Sequence, residues 1–164
     1  MAIWAASQTL LLVGEGSTEV AFLRHVSRIY APRGCGLRVT IKDAHGKGAK
    51  HVVEWTIRQR GIAGFDKVAV LLDTDQDWTS TVARRARSAG IQVLQSVPLF
   101  EAMMLRLVRQ NDIGDARALK ARFAPYVGHN PLDPGSYAMH YGRTCLETGK
   151  SIEPTILALL ALFE

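Results

Sequence analysis

Apolar and polar positions alternate along the chain in two rhythms. The stretch "TLLLVGEG" (9–16) is an apolar run stopped by glycines, and "STEVAFLRHVSRIY" (17–30) then sets Val20, Phe22, Leu23, Val26, Ile29 and Tyr30 at helical spacing. The same strand-to-helix step recurs in "LRVTIKDA" (37–44) with "GAKHVVEWTIRQR" (48–60), and in "DKVAVLLD" (66–73) with "WTSTVARRARSAG" (78–90), which ends on a helix-stopping glycine. A fourth strand, "IQVLQSV" (91–97), is closed by Pro98. Strands and helices alternating at this spacing predict an α/β fold, a mostly parallel, Rossmann-like sheet of about four strands with helices on both faces. After "PLFEAMMLRLVRQ" (98–110) the rhythm breaks. "DARALKARFAPYV" (115–127), a Gly- and Pro-rich loop and "EPTILALLALFE" (153–164) predict a helical or irregular appendage. The expected organisation is one domain over 1–164, with a core at about 8–110 and a C-terminal extension over 111–164.

Composition changes this picture little. The 164 residues are 48% hydrophobic and 21% charged, and no apolar run approaches the ~18 residues needed to cross a bilayer, so no membrane association is expected. The opening "MAIWAASQTLLLVGEG" lacks a basic segment before its apolar run, which argues against a secretory signal. Cys35 and Cys145 stand far apart without metal-ligand spacing and read as reduced thiols of a cytoplasmic protein. None of the five histidines forms an i, i+4 ligand pair, and zinc is not expected.

Charge adds more. Twenty Lys and Arg against fifteen Asp and Glu give +5, a surplus that suits a polyanionic partner such as nucleic acid. Lys47 and Lys50, in the glycine-flanked "HGKGAKH", and Arg84 and Arg85, in a run that includes Arg87, are the candidate phosphate contacts. The lysine loop is equally an ordinary surface loop, and the arginine run reads first as a solvated helix face and only second as a nucleic-acid contact. Arg106, Arg109, Arg117, Lys120 and Arg122 follow later in the chain.

The acids, by contrast, gather at a few points. Ligands of open α/β sheets bind beyond the carboxyl ends of the strands. Glu15 ends the first strand and Asp73 the third, and Asp75 follows two residues later. Carboxylates so crowded repel one another unless a cation compensates, and a hard ion such as Mg²⁺ does so with carboxylates, water and phosphate oxygens. Glu15, between two glycines at the mouth of a buried strand, has little structural use there. Glu19 has an alternative explanation, because an acid in the first turn of a helix is favoured by the helix dipole.

Three segments together carry a family resemblance. "LLVGEGSTEVAFL", "VLLDTDQD" and "SVPLFEAMML", in this order over about 9–107, resemble the Toprim fold of OLD-type and RloB-like nucleases. In those proteins one strand ends in EG-x-T-E, a later one in D-x-D, and an S-x-P-x-F-E segment follows; "KSIEPTILALLALF" is similar to an RloB-type terminal helix. The resemblance implies Mg²⁺-dependent phosphodiester hydrolysis, with Mn²⁺ able to substitute, in a mobile-element or phage-defence setting. It assigns catalysis to Glu15, Asp73 and Asp75 and adds Glu19, Asp77 and Glu101 as auxiliary metal ligands. OLD-type nucleases carry an ATPase portion, but no G-x-x-x-x-G-K-[ST] loop occurs here, so any ATPase would be a separate chain. The chain is also short for an RloB-like protein. Two other classes stay open: a non-catalytic, nucleic-acid-binding regulatory Toprim subunit, and a receiver-like phosphoacceptor or phosphatase in which Ser96 would follow the fourth strand.

Overall fold

The run of four apolar residues before Gly14, Leu10 to Val13, has no polar face because both of its faces are covered. In the computed structural model, which describes residues 7–164, β1 (Gln8–Gly14) lies between β2 (Leu37–Asp43) and β3 (Lys67–Asp73), and β4 (Gln92–Ser96) borders β3. All pairings are parallel in the order β2-β1-β3-β4. The expected absence of a secretory signal rests partly on residues 1–6, outside the described residues.

Alternate residues of each strand enter two separate cores. Leu10, Leu12, Ala69, Leu71 and Leu94 face α1 (Ser17–Tyr30) and α4 (Phe100–Leu107), while Leu11, Val13, Val68, Val70 and Leu72 face α2 (Gly48–Ile62) and α3 (Ser80–Ser88). The predicted α/β architecture, with its parallel sheet and helices on both faces, is the observed one. Each of α1 to α4 starts just beyond a strand's carboxyl end, so four helix N-termini border that rim.

The C-terminal third is more integrated than an appendage. It forms α5 (Ala116–Phe123), two short 3₁₀ turns (Ala124–Val127 and Pro134–Tyr137), α6 (Arg143–Gly149) and α7 (Pro154–Ala161). Leu119, Phe123, Tyr137, Tyr141 and Ile156 belong to the same buried cluster as Phe22 and Phe100. The two tyrosines are fully buried without an orphaned hydroxyl: Tyr141 donates to the Met104 carbonyl at 3.1 Å and Tyr137 to that of Pro131 at 2.8 Å. Arg106 pins α4 to the start of α7 through Glu153, and also pairs with Asp112 at 3.0 Å. Among the described residues no helix is long and apolar enough to cross a membrane. Cys35 and Cys145 are both free.

Candidate functional site

The strand-to-helix turn after β1 is built for close approach. A Cβ on Gly14 would stand 2.9 Å from both Cγ2 and the backbone nitrogen of Val20, so glycine is required for α1 to begin against the strand end. Glu15 continues the ladder, donating its N–H to the Leu71 carbonyl at 3.0 Å. Its Oε2 accepts the Asp73 N–H at 2.8 Å, which joins the ends of β1 and β3. Asp73 reaches onward, its Oδ1 accepting the first N–H of α4, from Phe100, at 2.8 Å. Glu19, one turn into α1, folds back so that Oε2 accepts the Gly16 N–H at 3.1 Å. This contact gives Glu19 a capping role at the start of α1 alongside its place in the acidic cluster.

Those tethers bring four carboxylates into electrostatic contact. Burial, then repulsion from Glu19, Glu15 and Glu101, pushes Asp73 up to about 8, against the opposing Phe100 hydrogen bond. Burial likewise pushes Glu19 up to about 7, with Glu101 and Glu15 adding repulsion. Glu15 is raised by burial and by Asp75, while the Asp73 N–H works the other way. Glu19 and Glu101 are only 8% and 7% exposed, so little solvent dilutes these effects.

A cavity of about 420 Å³ opens beside the cluster, lined by Glu19, Asp73 and Glu101 on one side and by Lys120, Phe123, Ala124 and Pro131 on the other. Of the acids expected from sequence, Glu15 stands behind this lining as the tether of Asp73, and Asp75 is exposed nearby, acting on Glu15. Asp77 is displaced toward α2. It adopts φ 57°, and its Oδ2 lies 2.8 Å from where a Cβ on Gly48 would stand. None of the four expected basic contacts lines the cavity. Lys47 and Lys50 are exposed at the start of α2, at the same rim as the acids, where the Gly46 N–H donates to the Glu15 carbonyl at 2.6 Å. Arg84 and Arg85 are exposed on α3, on the other side of the sheet, where Arg85 pairs with Glu54 at 3.0 Å.

Sequence reasoning did not single out the far wall of the cavity. Lys120 is one of several scattered cations in the sequence, and no motif connects α5 to the strand ends.

Among the described residues no group of three or more His, Cys, Asp or Glu side chains is arranged to hold a metal ion. The donor set nevertheless fits Mg²⁺, which binds through one or two carboxylates and takes its other ligands from water and substrate phosphate. Every acid here offers hard oxygen, and the raised Asp73 and Glu19 are the groups from which a bound cation would displace protons. Comparisons of the chain with protein-family models, curated proteins and solved structures gave no match.

Proposed function

We propose that the chain is a Toprim-like, Mg²⁺-dependent nuclease hydrolysing phosphodiester bonds of DNA or RNA. The observation that carries this reading is the convergence of carboxylates on one cavity at the carboxyl rim of a parallel sheet: half-buried Asp73 at the end of β3, buried Glu19 and Glu101 in the first turns of α1 and α4, and Glu15 behind them. Asp73 and Asp75 would hold the ion, with Glu19 and Glu101 supporting and Mn²⁺ substituting. The ion supplies Lewis acidity toward phosphate oxygens. Glu15 accepts or returns a proton, positioned by the Asp73 N–H, with burial and Asp75 raising its affinity for that proton. The resemblance supports a defence or mobile-element setting and a separately encoded ATPase partner. Free thiols suit the cytoplasm.

One observation favours a second reading, a nucleic-acid-binding regulatory subunit, because no three ligands are prearranged among the described residues. The receiver-like alternative is weaker: Ser96 is fully buried, its hydroxyl turned to the Met103 sulfur at 4.0 Å rather than into the cavity. The test compares oligonucleotide cleavage in Mg²⁺ or Mn²⁺ by wild type and Glu15→Gln, alone and with an ATPase partner. Loss of a proton-transfer group should cost about 10²- to 10⁴-fold. Equal cleavage would remove Glu15 from the mechanism, and binding without any cleavage by wild type would decide for the regulatory subunit.

A further inference from the structure

The cavity is polarised. Carboxylates form its floor, whereas the facing wall comes from α5 and the segment after it: Lys120, then Phe123, Ala124 and Pro131. Lys120 is exposed and, like Arg117 one turn earlier on the same helix, takes part in no ion pair among the described residues. It lines the same cavity as Glu19, Asp73 and Glu101 without forming an ion pair with any of them. The groups acting on Glu19 and Asp73 are other carboxylates and backbone N–H groups, and Lys120 is not one of them. A cation that lines the same cavity as these acids yet is ion-paired with none of them remains available to an anionic group entering the cavity.

Size and depth restrict what enters. Glu19 and Glu101 lie below the surface, and about 420 Å³ is near the lower end of the ~300–1,000 Å³ found in small-ligand sites. That is room for one nucleotide-sized group, not for the convex flank of a base-paired duplex. The apolar part of the wall, half-buried Ala124 and Pro131 backed by the buried Phe123, offers a surface for a sugar or base face.

We propose that this cavity admits one nucleotide of a single strand or frayed end, with Lys120 binding its phosphate and the Ala124–Pro131 wall receiving its sugar or base. The chain would then discriminate by strandedness, and its C-terminal third would serve as the specificity wall. This rests on the nuclease reading and fixes the substrate class within it.

The experiment measures fluorescence anisotropy of the full chain in Ca²⁺ against a labelled oligo-dT and against a closed dumbbell duplex without free ends. Wild type should prefer the single strand by about tenfold or more, equivalent to ~1.4 kcal/mol. Lys120→Glu, an exposed change expected to leave thermal melting intact, should weaken oligo-dT binding about tenfold, and Lys120→Gln by less. Arg33→Glu, an equal charge change between α1 and β2 at the opposite end of the sheet, should leave it within about twofold, a difference below ~0.5 kcal/mol. Equal affinity for strand and dumbbell, or equal effects of Lys120→Glu and Arg33→Glu, would overturn the proposal while leaving nucleic-acid binding intact. No binding of wild type to either probe would overturn both the proposal and the nuclease reading.

Discussion

Replacing Asp73 by Asn should stabilise the metal-free protein at alkaline pH. The change keeps the side chain's shape and an oxygen able to accept the Phe100 N–H, now at 2.8 Å, but removes the charge facing Glu19, Glu15 and Glu101. In the folded chain Asp73 is pushed up to about 8 from its ordinary 3.8. Between those values the native state therefore holds a proton that the unfolded state has released, so stability falls as pH rises through this window. At ~1.4 kcal/mol per pH unit the loss is bounded at about 6 kcal/mol. Partial access of water to the carboxylate lowers the expected value to about 2–3 kcal/mol. For a chain of this size that is ~5–10 °C in Tm. Thermal melts in a chelator from pH 4.5 to 9 should show wild type losing stability with pH, Asp73→Asn losing less, and the variant ahead by about that margin at pH 9. The advantage should close toward pH 4.5. A variant less stable than wild type at pH 9, or a difference that does not change with pH, would refute the claim that repulsion and burial strain this carboxylate.

Gly14→Ala should destabilise by about 1–3 kcal/mol in urea unfolding, because the new Cβ would lie 2.9 Å from Val20 and force α1 away from β1; unchanged stability would mean that the turn has slack. Reversing Lys47 and Lys50 to Glu should lower the steepness with which oligonucleotide affinity falls with salt, by about 0.7 per lost phosphate contact on a single strand. An unaltered slope would confine binding to the face that carries α5.

Much of the fold was legible because strand and helix periodicity carry it. The continuous apolar runs of β1 and β3 announced burial on both faces, and Gly14 announced the tight turn after β1. The acids were legible for the same reason, since topology sends Glu15 and Asp73 to one rim. What sequence did not reveal depends on long-range packing. Tyr137 and Tyr141 carry no motif, yet they anchor the C-terminal third in the α1 and α4 core. Only that docking brings Lys120 to the cavity. The separation of Asp77 from Asp73 was equally hidden, because it follows from a left-handed residue in the loop after β3.

Divalent-ion binding, followed by titration calorimetry of Mn²⁺ into the chelator-treated protein at pH 7.5, tests the central claim most directly. With Asp73 pushed up to about 8 and Glu19 to about 7, an ion that seats among these carboxylates must displace protons, so the measured heat should change with the ionisation enthalpy of the buffer. The account predicts binding at millimolar or lower concentration with net proton release, and loss of both in Asp73→Asn. No binding heat in any buffer, or binding that Asp73→Asn leaves intact, would contradict it.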